Sequence, residues 1–308
     1  MEPVELLQRI AAGERNFSGA NLIGANLERA CLFCVNLSGA NLAGANLSRA
    51  FLTGANLSGA FLQRADLSYA KVNEARLTGA DLTKANLKGA FAVKSVFSGC
   101  SLSGANLAGV NLRLSNLEAV NFCGADLRGI NLRSANLRRA NLNWANLCGA
   151  RLSGATLRGA LLNGVKLSGA YLNGVDLNGA DLDGVNLSEA KLSGANLSRA
   201  NLSAANLSSA YLRVAFLSRS NFHAANLHRA SLTKADLCET DLSLADISEA
   251  NLSDADLTGA NLTLANLSGT DLTGACLRDA ELWGASLNTA QLRGADCSRV
   301  ARGADGSG

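Results

Sequence analysis

The sequence is poor in most of what a compact enzyme is built from. It has two histidines, His223 and His228, one proline, Pro3, and aromatic residues at 5% of 308 positions. Catalysis needs a nucleophile, a base and an orienting group converging at one place, and two histidines at separate points offer none. No run of 18 apolar residues occurs, so no transmembrane span is predicted. The N-terminus lacks a basic segment followed by an apolar one, which predicts no signal peptide and a cytoplasmic location. The eight cysteines are scattered. Cys31 and Cys34 make one C-x-x-C with no second pair and no histidine nearby, short of the ligands a zinc site needs. Single thiols in a reducing compartment are the expectation, with no metal and no cofactor. Hydrophobic content is nonetheless 48%, so Leu and Ala carry the core.

What is present is a period of five. The unit is A-N-L-S-G, seen with one change at Ala40-Asn41-Leu42-Ala43-Gly44 and at Ala195-Asn196-Leu197-Ser198-Arg199. From Phe17 to Cys297 it runs for 57 pentads without insertion or deletion. The central residue, i, is Leu in 49 of them; the exceptions are Phe17, Val72, Ala92, Phe97, Phe122, Phe222, Ile247 and Cys297. Two positions earlier Ala dominates, with small or compact substitutes such as Val35, Ser95 and Cys100. Residues two apart share a face of an extended segment, so i and i−2 point inward together. A helix is excluded, because five steps of about 100° carry each Leu to a new side of the cylinder. Hairpins are excluded by runs too short for strands and by the lack of turn dipeptides at hairpin spacing. Gly occupies i+2 in 27 of its 31 occurrences, which marks a recurrent tight turn. The chain therefore turns once per pentad and winds as a solenoid.

The run A-(D/N)-L-x-x over residues 16–297 resembles the pentapeptide-repeat family. That resemblance implies an all-β solenoid, a right-handed quadrilateral β-helix of four pentads per coil and about 14 coils, with i and i−2 filling the interior. At about 4.8 Å per coil such a rod is on the order of 65–70 Å long. Sorting the i−1 residues by position modulo 20 supports a 20-residue coil. The column of Cys31, Phe51, Lys71 and Phe91 departs from Asn/Asp at 10 of 14 places, the other three at 4, 2 and 5.

Three segments follow: a capping helix and entry over 1–15, the repeats over 16–297, and a flexible Gly/Ser tail over 298–308. Glu2 to Ala12 reads as a helix, with Pro3 in its first turn, Gly13 ending it, and Val4, Leu7 and Ile10/Ala11 on one face. Laid over Phe17 and Leu22, it closes the first coil, whose edge is otherwise unpaired. The stretch Glu5 to Phe17 resembles the leader of cyanobacterial family members.

Two surfaces are candidates for function. One is the odd column, with Phe51, Lys71, Phe91, Arg151, Tyr171, Lys191 and Tyr211 at i−1, and Lys94, Arg113, Arg133 and Arg213 beside them. A strip of cations and aromatics suits an acidic protein, phosphates or bases. Equally, bulky residues can shield one sheet through cation–π and cross-strand pairs. The other surface is a charge block. Residues 113–234 carry net +8 and residues 236–296 net −9, which the overall +3 conceals. The acidic block opens with Asp236, Glu239, Asp241, Asp246, Glu249, Asp254 and Asp256. Some members of the resembled family are acidic duplex-DNA mimics that bind DNA gyrase, and the resemblance implies that role for this block as an alternative. Leu287, Leu292 and Cys297 are candidates for an end-to-end homodimer contact.

The function expected is a non-enzymatic scaffold that binds a macromolecule along its faces, a protein partner ahead of nucleic acid. The alternatives are a nucleic-acid mimic acting on gyrase through the acidic coils, and nucleic-acid binding by the basic aromatic strip. One internal feature is testable at once. Ala92 is the only alanine at i, and Phe97 at the next centre is expected to lean into the missing volume. Ala92→Leu should therefore overpack and leave the melting temperature unchanged or lower; a clear rise in a thermal melt would contradict this.

Overall fold

In a computed structural model, the structure describes residues 1–301, which divide into two compact units, 1–161 and 162 onward. Each is described separately.

The first unit opens with helix α1, Pro3–Ala11. Pro3 sits where its missing N–H is no loss, and Gly13 at φ +98° lets the chain leave. The buried residues are Leu6 and Ile10, whereas Val4 is 66% and Leu7 37% exposed. Of the expected stripe of Val4, Leu7 and Ile10/Ala11, Ile10 is buried as expected, while Leu6 takes the inward place expected of Leu7. The Arg9 guanidinium lies 5.3 Å from the centre of the Phe17 ring, and the Met1 ammonium donates to the Asn21 carbonyl at 3.1 Å. In later coils a carbonyl of this kind accepts from a leucine amide, as Asn41 does from Leu22. The first coil's Phe17 and Leu22 are buried beneath this cover.

From Asn16 to Leu161 the chain pairs with itself in parallel at a spacing of 20 residues: Asn16 with Asn36, Phe51 with Lys71, Asn141 with Leu161. The pitch is therefore four pentads, as the column sorting predicts. Each side contributes a single bridging residue rather than an extended strand. The pentad 41–45 shows why so little strand suffices. Leu42 N–H donates to Phe61 O at 2.7 Å and Gly44 N–H to Gln63 O at 2.9 Å, both in the next coil. Asn41 N–H donates back to Ala20 O, and Ala45 N–H closes the corner on Leu42 O. The remaining amide, Ala43, donates to the Asn41 side-chain Oδ1 at 3.2 Å. All five amides are satisfied, as buried and half-buried backbone requires. The same scheme serves the second unit, where His228 N–H donates to Asn226 Oδ1 and Leu227 N–H to Asp246 O. There the pairing runs from Lys166–Asn186 to Glu281–Ala301.

Asparagine at i−1 has a second task. Its Nδ2 donates to the Oδ1 of the residue 20 positions earlier, as Asn36 does to Asn16 and Asn196 to Asp176. Inside each unit Leu at i and Ala at i−2 are excluded from solvent, Leu42 and Ala40 among them. Where i−2 is a hydroxyl residue it bonds a carbonyl: Ser95 to Val72 and Ser115 to Ala92, both at 2.7 Å. Ala92 and Phe97 are both fully buried.

The corner is a turn closed by the bond from residue i+3 to residue i, with positive φ only at its third residue, the type II pattern. Every i+2 position from Gly19 to Arg299 has positive φ, and 30 of these 57 are not glycine. The geometry is imposed by the coil and not by the residue that happens to occupy the corner.

The second unit also corrects the end of the repeat. Arg299 still has φ +58°, and Ala301 N–H still donates to Ala280 O at 2.9 Å. The regular geometry therefore continues through Ala301, beyond the expected boundary at 297. The rest of the expected tail, 302–308, lies outside the described residues. Deleting residues 1–12 uncovers Phe17 and Leu22, and the expected result is aggregation on size exclusion; a monodisperse variant with an unchanged melting temperature would refute the role of α1 as a cover.

Candidate functional site

The basic aromatic strip is physically contiguous within each unit. In the first, Phe51, Lys71, Phe91, Asn111, Asn131 and Arg151 pair in succession; in the second, Tyr171, Lys191 and Tyr211 do. Much of it is engaged with itself. Lys71 Nζ lies 4.9 Å from the Phe51 ring centre, and Phe33 stacks at 5.6 Å on the same ring. Lys191 Nζ lies 3.5 Å from the Tyr211 ring centre. Such pairs stabilise neighbouring coils and account for part of the strip without a partner. Phe91, Tyr171 and Tyr211 remain 48%, 42% and 48% exposed, and Lys94, Arg113, Arg133, Arg151 and Arg213 point into solvent.

Two residues of this strip escape sequence reasoning. Leu114 follows Arg113, and Val214 follows Arg213, each at the left-handed corner, with φ +62° and +51°, and each 42% exposed. A β-branched side chain at positive φ is an outlier. The only signal in the sequence was an apolar residue where Gly or a polar residue is usual.

The strip replaces Asn/Asp at i−1 and so gives up the local acceptor for the i+1 amide. Val93 N–H instead donates to Asn73 Oδ1 at 2.9 Å, and Ser193 N–H to Asn173 Oδ1 at 3.2 Å. An asparagine at i+1 of the earlier coil supplies the missing oxygen in both units.

The acidic block is largely committed to the fold. Asp241 accepts from Ser243 N–H, Ser243 Oγ and Asn261 Nδ2; Asp246 accepts the same set from Ser248 and Asn266. Asp256 holds Thr258, and its direct neighbour in the ladder is Asp236. Glu239 is paired with Arg219 at 2.9 Å and Glu249 with Arg229 at 2.7 Å. Hydrogen bonding from these guanidiniums holds both glutamates below the usual carboxylate range. Asp254 is exposed at a left-handed corner.

The histidines each join a serine of the next coil: His223 Nδ1 to Ser243 Oγ and His228 Nδ1 to Ser248 Oγ, both at 2.9 Å. Each serine hydroxyl is in turn donated to Asp241 or Asp246. The serine proton points at the carboxylate, so this chain braces adjacent coils and does not activate a nucleophile. The described cysteines are unpaired, and Cys31 and Cys34 are exposed. Burial pushes the Cys100 thiol up to about 12; burial and then the flanking Asp256 and Asp236 raise that of Cys238. No group of three metal-ligating side chains occurs among the described residues.

Near the end of the second unit Leu287 and Cys297 are half-buried and Leu292 is 39% exposed, whereas Leu272 and Leu277 are fully buried. The three candidates for an end-to-end contact are thus partly open.

Sequence comparison now identifies the repeat. A family model described as pentapeptide repeats, 8 copies, matches residues between 16 and 284 in overlapping segments, among them 36–71, 115–154 and 205–243. The chain belongs to the pentapeptide-repeat family. No curated protein matches it. Among solved structures, a pentapeptide repeat protein of the Arabidopsis thaliana thylakoid lumen is 34% identical over 32% of this chain and 69% of its own, with a TM-score of 0.32. HetL of Nostoc sp. strain PCC 7120, a pentapeptide repeat protein involved in heterocyst differentiation regulation, is 29% identical over 100% of this chain and 99% of its own, with a TM-score of 0.20. Rfr23 of the cyanobacterium Cyanothece 51142 is 30% identical over 45% and 91%, with a TM-score of 0.29. No helix among the described residues of this pentapeptide-repeat chain is long and apolar enough to cross a membrane.

One ion pair gives a pH test. Arg128 bonds both oxygens of Asp126, at 2.8 and 2.6 Å, and this holds the Asp126 carboxyl below its usual range. A depressed folded pKa adds stability above the unfolded value, lost as pH falls through the folded one. Arg128→Met should lower the melting temperature at neutral pH, and the gap from wild type should close at a pH of about 2; a gap independent of pH would exclude the pair as its cause.

Proposed function

We propose that this chain is a non-enzymatic scaffold that binds a macromolecular partner along its coil faces. Its coils are then those of a right-handed quadrilateral β-helix, about 14 in all, as the family resemblance implies. Its location is cytoplasmic. The partner is a protein with an acidic, partly apolar surface, met in the first unit by the strip of Phe51, Lys71, Phe91, Lys94, Arg113, Arg133 and Arg151; the second unit offers a strip of its own in Tyr171, Lys191, Tyr211 and Arg213.

The observation that carries this reading is Leu114 and Val214. Each places an exposed apolar side chain on a left-handed backbone, where a non-glycine residue costs about 1–2 kcal/mol. Trp144, Leu244 and Leu264 are also exposed apolar residues at left-handed corners, in another column; what sets Leu114 and Val214 apart is their place beside Arg113 and Arg213 in the strip. Retaining both within a cationic, aromatic strip is what a binding surface requires.

The alternative, a duplex mimic acting on gyrase, rests on Asp236, Glu239, Asp241, Asp246, Glu249, Asp254 and Asp256. Its support is weaker, because Glu239 and Glu249 are neutralised by arginines and Asp241, Asp246 and Asp256 serve their own corners. Inhibition of supercoiling in a gyrase assay, lost with Asp236→Asn/Asp254→Asn, would favour it over the scaffold. Self-association through Leu287, Leu292 and Cys297 is compatible with either.

The test of the scaffold reading is a pull-down from the native host with wild type and with Phe91, Tyr171 and Tyr211 changed to Ser. A partner retained by the first and lost by the second is expected. Val214→Gly should weaken that partner roughly tenfold while raising protein stability by up to about 1 kcal/mol. Equal capture by all three proteins would sink the proposal.

A further inference from the structure

A second charged site lies one corner away from the strip, wholly within the first unit. Arg138 and Arg139 occupy one corner, and Arg158 and Gly159 the same corner one coil later. With Glu118 of the preceding coil they line a shallow cleft of about 400 Å³. All three arginines are exposed, and Glu118 is half-buried. Gly159 leaves the floor open; a Cβ there would meet only the Arg139 stem, at 3.6 Å.

Two arginines at such corners are answered by an acid 20 residues on, Glu239 for Arg219 and Glu249 for Arg229, whereas Arg29 is followed by Arg49, Arg64 by Lys84 and Arg199 by Arg219. Here Arg138 is followed by Arg158, and Arg139 by Gly159. Among the described residues none of the three forms an ion pair. Coils stack at about 4.8 Å, so like charges stand at neighbouring rungs, an arrangement that costs stability. Three guanidiniums against one carboxylate leave the cleft with two uncompensated positive charges.

We infer that this corner binds a diphosphate group. The guanidinium fork matches phosphoryl oxygens in pairs, and arginines on successive coils are spaced to take one phosphoryl group each. A cleft of this volume holds a small ligand, and a lining of three arginines, one glutamate and a glycine, with no hydrophobic residue, fits an anion better than a hydrophobic one. The site is independent of the aromatic strip and its partner.

Calorimetric titration of the full chain with inorganic pyrophosphate tests the assignment. Saturable binding is expected, weakening as sodium chloride is raised. Arg138→Ala and Arg158→Ala should each weaken it about tenfold or more, whereas Arg49→Ala, an exposed left-handed corner arginine elsewhere in the unit, should leave it unchanged. Titration with ADP separates the sources of the group. Equal or tighter binding assigns it to a nucleotide, weaker binding to the inorganic ion, and both support the site. Absence of saturable heat, sulfate binding as tightly as pyrophosphate, or equal losses in all three variants would overturn it.

Discussion

The structure depends on a single constraint, a residue with left-handed backbone at every fifth position. That conformation closes the corner, aims the next Ala inward and delivers the following amides to the adjacent coil. Glycine adopts it freely, yet more than half of the corners hold Arg, Lys, Glu, Ser, Leu or other L-residues. Each such residue costs about 1–2 kcal/mol in isolation, and the cost is offset because the coil supplies three inter-coil or corner hydrogen bonds around it together with a buried Leu. Stability of this kind is cooperative between neighbouring coils and nearly additive along a unit.

Because the fold is secured from inside, the outer residues are free to vary, and their variation carries the functional signal. Carboxylates at i−1 look like a charged surface but are engaged as local acceptors, as Asp241 and Asp246 are. Cations at i−1 in the odd column look like a nucleic-acid track, but Lys71 and Lys191 rest on aromatic rings. Among the residues that the coil itself does not explain are Leu114, Val214, and the arginines at 138, 139 and 158. Interaction sites on a repeat scaffold are recognised among residues whose side chains the coil does not use.

Much of the fold was legible in the sequence. Leu at i and Ala at i−2 announce their inward direction through size and spacing, and the column sorting gives the 20-residue pitch later seen as Phe51 against Lys71. The helix face was legible at Ile10 but not between Leu6 and Leu7, which are adjacent and both apolar; only the contact with the first coil decides between them. The corner conformation of Arg49 or Val214 was illegible, since local propensity opposes it and the coil overrides propensity. The strip's contiguity was readable from spacing, but its internal cation–π pairing depends on side-chain direction. The arginine corner is not legible in the i−1 columns, because Arg138, Arg139 and Arg158 lie at i+1 and i+2.

The side-chain ladder has a direction. In each unit the bonds at i−1 run from Nδ2 of the later coil to Oδ1 of the earlier one, from Asn36 to Asn16, Asn86 to Asp66, Asn201 to Asp181 and Asn266 to Asp246. Of the inter-coil backbone bonds of a pentad, two donate toward the next coil and one toward the last, as at Leu42, Gly44 and Asn41, so they lack the single sense of the side-chain series. The amide dipoles share one sense and add. Aspartate therefore fits beneath an asparagine as a terminal acceptor, but placed above one it breaks the series. Where carboxamides stack in succession, as at Asn16, Asn36 and Asn56, they form a short one-way wire whose two ends differ in electrostatic character even though their residues are alike.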